Sequence, residues 1–415
     1  MKMNHSPILI IGGGLAGLSA AVYLHQRGEK FLLLEAEDRV GGRVKTDVVE
    51  GFRLDRGFQV LLTAYPETQS LLNYASLRLC RFAPGAIILH EKGRTEIGDP
   101  IRQPAALLKT LLSSAGTPLD KINILRLRQR LKALSLADIF AQPEISTHQA
   151  LSEYGFSPRM QDRFFQPFMA GIFLENELNT SRRMFDFVFK MFSEGDTAVP
   201  ALGMEEIPKQ LAARLPPSAL RLGKRVISVL DREVVCEDGE IFTADKILLA
   251  TEAPGLAKHY LATPSVEGQS VTCVYFYAEK PPFKKALLAL NAHPQKFVNN
   301  IAVMSNVSPE YAPPGQALIS VSVNGYHDWS REEISNTIRH ELAPILGEQV
   351  YSWRILQHYP IRYALPSQQS VNGDLPGSRI KLSESLFVAG DYLLNGSINA
   401  ALQAGRQAAE AILAG

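Results

Sequence analysis

The sequence predicts an α/β protein, with a parallel-sheet nucleotide-binding domain joined to a mixed α+β domain. Three observations carry that prediction. An apolar run leads at once into a glycine-rich turn and a helical stretch. A second apolar run ends on an acid at the spacing a bound ribose requires. Further along, strand-like alternation (Val271 to Tyr277, Ala317 to Val323) and a helical pattern from Arg331 to Leu346 supply the second domain.

The first element, Ile8-Leu9-Ile10-Ile11, is short, apolar and β-branched, as a strand buried on both faces requires. Gly12-Gly13-Gly14-Leu15-Ala16-Gly17 follows, and then the helical stretch Leu18 to Leu24. Gly12-x-Gly14-x-x-Gly17 is the fingerprint of a Rossmann-like domain. Gly12 allows the tight turn, Gly14 lets the backbone approach a pyrophosphate, and Gly17 lets helix and strand pack closely. Leu15 and Ala16 open the helix, whose free N–H groups and positive dipole end face the phosphates. Gly28 ends that helix. Phe31-Leu32-Leu33-Leu34 is the second strand, and Glu35 at its end follows Gly17 by 18 residues. There it accepts ribose hydroxyls and disfavours a 2′-phosphate. The chain continues Ala36-Glu37-Asp38-Arg39-Val40-Gly41-Gly42-Arg43-Val44. A second glycine pair followed by Arg43 offers another close backbone approach and a fixed cation for a diphosphate. A glycine loop with a solvated arginine is the plainer alternative.

Composition narrows the function classes. The 415 residues, 46% of them hydrophobic, are enough for two or three domain-sized cores. Lys plus Arg (43) nearly equals Asp plus Glu (42), which argues against a nucleic-acid binder. Cys80, Cys236 and Cys273 lie far apart, so a disulfide scaffold, a zinc ribbon and a dithiol redox site are excluded. No HExxH or other metal-binding pattern is present. No apolar run reaches the ~20 residues of a membrane span. The first residues enter a strand without a secretory signal, which points to a cytoplasmic protein.

IIGGGLAGLSAA and EAEDRVGGRV together resemble the flavin-containing amine oxidase superfamily, which includes monoamine and polyamine oxidases, protoporphyrinogen oxidase and phytoene-type desaturases. A second match lies at the far end. Leu386 to Asp391, then Gly396 to Gly405, resembles the family's closing strand, Gly-acid turn and flavin-facing helix. The resemblance implies a Rossmann-like FAD-binding domain with a mixed α+β substrate domain. It implies FAD contacts from Gly12, Gly14, Leu15, Ala16, Gly17, Glu35, Ala36, Arg39, Gly41, Gly42 and Arg43. Gly390 and Asp391 would meet the pyrophosphate and ribitol, and Ser397 and Ile398 the flavin pyrimidine ring. A helix N-terminus there would also stabilise the negative charge of reduced flavin.

Inner segments match too. Leu54 to Gln59 resembles the strand passing the flavin ring, through Gly57, Phe58 and Gln59. Ala198 to Met204 resembles the proline-glycine turn before a helix re-enters the FAD domain. Gly223 to Val226 begins a hairpin whose Val226 backbone would clasp the adenine, with Asp238-Gly239 as its turn. Asp245 to Thr251 reads as another parallel strand, with Thr251 at the cofactor. FAD-binding pieces are then 1–68, 196–262 and 376–415. Two inserts, a helical one (69–195) and a sheet-rich one (263–375), form the substrate domain. No second GxGxxG is present, so no separate NAD(P)H domain is expected.

Thr272-Cys273-Val274-Tyr275-Phe276-Tyr277 resembles the strand on which many amine oxidases carry a flavin-facing lysine. Thr272 stands at that place and Lys280 lies past the strand, which weakens an amine oxidase reading. Residues 352–390 contain no cysteine, so the FAD is expected to be noncovalent. Tyr363 either lines the flavin face or packs as an aromatic before a turn. Thr272 and Tyr363 are the candidates for lining the reaction site. The resemblance implies an FAD-dependent oxidoreductase, an oxidase or a dehydrogenase/desaturase. It would remove a hydride from a C–H or N–H centre of a small, organic, apolar substrate, in the manner of protoporphyrinogen oxidases and desaturases. An amine oxidase and a non-catalytic flavin-binding scaffold are the alternatives, and the electron acceptor, O2 or a quinone, is open. Residues 101–135 hold seven Lys/Arg (Arg102, Lys109, Lys121, Arg126, Arg128, Arg130, Lys132) against Asp120, with interleaved leucines. They form either a solvated helix face or a peripheral contact with an anionic membrane.

Overall fold

A strand apolar on both faces must lie inside a sheet, and Asn4–Ile11 does so with Ile8 to Ile11 buried. It pairs in parallel with Phe31–Leu34 on one side (Ile8 opposite Phe31) and with Ile241–Leu249 on the other (Ile8 opposite Lys246). Leu220–Arg221 extends the sheet beyond Phe31–Leu34, and Leu386–Val388 pairs in parallel with Ile241–Leu249. The computed structural model describes residues 4–91, 93–98, 116–261 and 267–414. Within these, the first sheet gathers strands from the beginning, middle and end of the chain. The adjoining hairpin pairs Val226–Leu230 with Glu233–Cys236, and its turn falls at Asp231-Arg232, with Asp231 left-handed (φ 54°). The expected Asp238-Gly239 turn lies one strand later, joining Glu233–Cys236 to Ile241–Leu249.

Two helices close this sheet. The first, Leu15–Gln26, buries an inner side that is apolar except for Ser19, and the last, Ile398–Ala414, lies directly on it. Small residues set their distance. A Cβ on Gly405 would overlap the Ala16 carbonyl and stand 2.8 Å from Ser19 Cβ. The Ser19 hydroxyl donates across the contact to the Leu402 carbonyl at 2.7 Å.

The second sheet has seven strands, in the order 354–366, 268–278, 317–324, 300–303, 288–291, 85–90 and 93–98. Alternation divides its faces. Val274, Phe276, Ile319, Val321 and Val323 pack with Ile334, Ile338 and Leu342 of the helix Arg331–Leu346, which Ser330 and Glu333 cap reciprocally. Cys273, Tyr275, Ala302 and Leu318, on the opposite face, join the main core shared with the first sheet. The strands Gly85–His90 and Gly93–Gly98 fall in the insert read as helical. Gly85–His90 pairs in parallel with Leu288–Asn291, a partner that no local pattern announces. The later part of that insert is helical, including Pro118–Ala133 and Arg182–Glu194. Of the basic stretch 101–135, residues 101–115 lie outside the described residues.

Replacing Gly405 with Ala should force the two closing helices apart. We expect a loss of about 1–3 kcal/mol of unfolding free energy, as overpacked cores show. Urea denaturation measures it, and an unchanged midpoint would mean the contact yields freely.

Candidate active site

The glycine turns form the floor of the site. Gly12 has φ 108°, and a Cβ there would stand 2.6 Å from the Ala250 carbonyl oxygen, so no side chain fits. A Cβ on Gly17 would overlap the Gly12 carbonyl. Gly14 differs from both. A Cβ there would meet only Gly42 Cα, at 4.0 Å, so the backbone at Gly14 borders open space. The second turn faces it: Gly41 and Gly42 both have positive φ, and the Gly41 N–H donates to the Gly13 carbonyl at 2.8 Å. No side chain caps the helix that starts at Leu15, so its first N–H groups remain for an anion.

Glu35 is buried at the end of the second strand. Its Oε2 accepts from the Gly13 N–H at 2.6 Å, and its Oε1 from the Glu37 N–H at 2.9 Å. The carboxylate therefore braces the glycine turn. The half-buried Ala36 follows it. The Lys224 N–H donates to the Glu35 carbonyl at 2.8 Å, which brings the hairpin strand bearing Val226 beside this corner. Arg39 is engaged within the protein, with Asp47 at 2.5 Å and Glu205 at 3.0 Å.

Arg43 joins the two ends of the chain. Its guanidinium donates to Asp391 at 2.6 Å and to the Ala364 carbonyl at 2.8 Å, and it lies 5.6 Å from the Tyr363 ring centroid. Gln59 donates to the Arg43 carbonyl at 2.9 Å, tying Gly57-Phe58-Gln59 to the same corner. A Cβ on Gly57 (φ 93°) would meet Ile361 Cδ1 at 3.1 Å, and the Phe58 ring meets Phe82 edge to face. The Ser397 hydroxyl accepts from the Ala400 N–H at 3.0 Å, capping the helix that begins at Ile398. Beside Arg43 opens a cleft of about 930 Å³ lined by Glu252, Gly268, Ile361, Tyr363 and Ser367. Burial pushes the Glu252 carboxyl up, against the pull of Arg43. Four buried polar atoms around these turns have no hydrogen-bond partner among the described residues: Thr251 Oγ1, Gln59 Oε1, Tyr363 OH and Tyr392 OH. Open space at Gly14, an uncapped helix and unsatisfied polar atoms fit a dinucleotide.

On the substrate side the structure corrects one expectation. Thr272 pairs with Val323 and Pro360 on the face that turns away from the first sheet. Its hydroxyl is satisfied in a turn, donating to the Gly325 carbonyl at 3.0 Å and accepting from the His327 N–H at 2.9 Å. The pleat gives the inner face to Cys273 and Tyr275, so Thr272 does not line the site.

The residues missed in the sequence centre on Asp55. It is wholly buried and accepts from Thr46 Oγ1 (2.6 Å), Tyr311 OH (2.8 Å) and the Met204 N–H (2.9 Å), while Tyr275 OH donates to its carbonyl at 2.9 Å. Burial pushes the Asp55 carboxyl up to about 6 in spite of those donors. The network fixes the strand that leads into Gly57-Phe58-Gln59. Its one sequence signal is an acid at the end of the short alternating strand Phe52-Arg53-Leu54-Asp55.

With this geometry in place, the chain belongs to the family of flavin-containing amine oxidoreductases, whose model matches residues 15–413. It is 27% identical over 168 residues to protoporphyrinogen oxidase 2 of Arabidopsis thaliana, covering 40% of this chain and 32% of that protein. It is 25% identical over 269 residues to polyamine oxidase 2 of Arabidopsis thaliana, covering 60% of this chain and 51% of that protein. These matches thus span a third to a half of the relatives' lengths. The fold is that of putrescine oxidase, whose structure with putrescine superposes with a TM-score of 0.74 at 18% identity over the whole of both chains.

Asp55 makes a pH prediction. Its carboxyl holds a proton more tightly folded than unfolded, where it keeps the ordinary value of 3.8, so its contribution to stability is greatest below about 4 and falls as pH rises through about 6. The change amounts to roughly 3 kcal/mol at most. Wild-type stability relative to Asp55→Asn should therefore fall between pH 4 and 7 in chemical denaturation. Parallel curves would show that Asp55 titrates normally.

Proposed function

We propose that this chain is an FAD-dependent oxidoreductase that removes a hydride from a C–H or N–H centre of an organic, apolar substrate, in the manner of protoporphyrinogen oxidases and desaturases. One observation supports it above the rest. The open backbone at Gly14 faces the Gly41-Gly42 turn, beside the Arg43–Asp391 pair that joins both chain ends. FAD, when bound, supplies the hydride acceptor. The N–H groups of Leu15 and Ala16 and the Arg43 guanidinium bind the diphosphate, Glu35 the ribose, and the Val226 backbone the adenine. Gly57 to Gln59 and the helix opening at Ser397-Ile398 orient the reacting ring. The binding is noncovalent. Phe58, Phe82 and Ile361 offer an apolar, water-excluding side to the substrate. Tyr363, its hydroxyl unpartnered beside Arg43, orients substrate at the cleft.

Amine oxidation, the chemistry in the names of the polyamine and putrescine oxidases, is the second reading. Against it, the strand Gly268–Ala278 carries no lysine.

Purified protein should be yellow and release intact FAD on acid denaturation; flavin left in the precipitate would refute noncovalent binding. Glu35→Ala should weaken FAD binding about ten- to a hundred-fold, and also lower the melting temperature of the cofactor-free protein, since Gly13 and Glu37 lose their acceptor. Gly14→Val should keep that melting temperature yet abolish binding, because only the cofactor's space is filled. Calorimetric titration with FAD separates these outcomes.

Under nitrogen, porphyrinogens or polyenes should bleach the flavin absorbance near ~450 nm, while NADH and NADPH should be poor reductants, since hydride transfer needs donor and acceptor about 3–3.5 Å apart. Rapid mixing decides it. Rapid bleaching by NADPH alone would replace this reading with that of a reductase.

A further inference from the structure

The helix Pro118–Ala133 carries a face that the proposed function does not use. Its inner side buries Asn123, Leu127 and Leu131, and it is pinned to the helix Arg182–Glu194. Lys190 Nζ donates to the Leu131 carbonyl at 2.9 Å, and Arg128 to the Ser193 carbonyl at 3.3 Å. The helix is secured at its start as well. Thr117 and Asp120 form a capping box, and Asp120 also accepts from the Ser157 N–H and hydroxyl, each at 2.7 Å. The helix's single acid is thus buried and occupied.

Its outer side combines two features that an ordinary solvated face lacks. Leu119, Ile122 and Leu125 are 55%, 47% and 50% exposed. At about 100° per residue, Ile122 and Leu125 lie roughly 60° apart on the outward side. Lys121 and Lys132 flank them on one edge, and Arg126 and Arg130 on the other. Arg130 lies over the Tyr154 ring at 5.3 Å. The face therefore presents Ile122 and Leu125, with Gln129 one turn further on the same line, between two basic edges and no carboxylate of its own. Single exposed aliphatics need no explanation, but this arrangement is that of a helix lying in a lipid interface.

We propose that the outer face of Pro118–Ala133 docks on an anionic lipid surface, with Ile122 and Leu125 entering the headgroup boundary and the basic edges meeting phosphate or carboxylate headgroups. Charge complementarity selects this occupant over a zwitterionic surface. The proposal stands apart from the substrate reading, since it uses no residue of the cleft.

Sedimentation of the full FAD-loaded protein with vesicles tests it, using phosphatidylcholine alone and phosphatidylcholine with about one-third phosphatidylserine. Binding should require phosphatidylserine and weaken in high salt. Each basic side chain removed should cost about fivefold, so Arg126→Ala with Lys132→Ala should weaken binding roughly 25-fold. Ile122→Ser with Leu125→Ser should weaken it at least ~10-fold through lost apolar burial. No binding by wild type, or equal binding by both double variants, would overturn the proposal. Two further outcomes also would. If wild type is a lipid-free dimer that Ile122→Ser with Leu125→Ser makes monomeric, a second copy covers the face. If that variant lowers the melting temperature while vesicle binding is unchanged, the chain itself covers it.

Discussion

The ion pair between Arg43 and Asp391 is the constraint on which the rest of this site depends. It joins residues 348 positions apart at 2.6 Å. A loop at the end of the second strand is thereby fixed to a turn that follows the last strand. The pair is largely withdrawn from water, so removing either partner would leave a buried charge without its counterpart. Arg43 also holds the Ala364 carbonyl, at the end of the long strand of the second sheet. One guanidinium thus sets the first sheet, the closing turn and the second sheet in register around a single cleft.

The close approach of the two closing helices serves the same end. Gly405 admits the Ala16 carbonyl where any side chain would intrude, and Ser19 satisfies a carbonyl across the contact. The helix that offers its N-terminus at Gly14 is held from behind by the helix that opens at Ile398. Both helix starts are therefore placed by one interhelical contact rather than by two independent loops.

What could be read from the sequence was what is local. The strand, glycine turn, helix and acid from Ile8 to Glu35 are dictated by φ angles, side-chain volume and hydrophobic period within one stretch of chain, and the structure places them together. The strands and helix of the second domain were legible for the same reason. Asp55 was not, because its three donors come from Thr46, Met204 and Tyr311, and only the folded chain assembles them. Thr272 failed through parity: a one-residue difference along a strand exchanges the inner face for the outer, and Cys273 holds the inner place. Gly85–His90 escaped because its partner strand is distant in sequence. The hairpin turn was misplaced because Asp231 adopts a left-handed conformation without a glycine to announce it.

The first sheet takes strands from the beginning, middle and end of the chain, and this bears on how the protein is made. During synthesis Asn4–Ile11 and Leu15–Gln26 emerge early, yet Ile241–Leu249 and Ile398–Ala414, which cover them, emerge much later. Until then the nascent chain carries an apolar helix face and an unpaired central strand edge. Such parallel, long-range pairing folds slowly and exposes aggregation-prone surface. The cofactor cradle is therefore completed only after Ile398–Ala414 has been made, and a ribosome that stops short of that helix releases a chain unable to complete it.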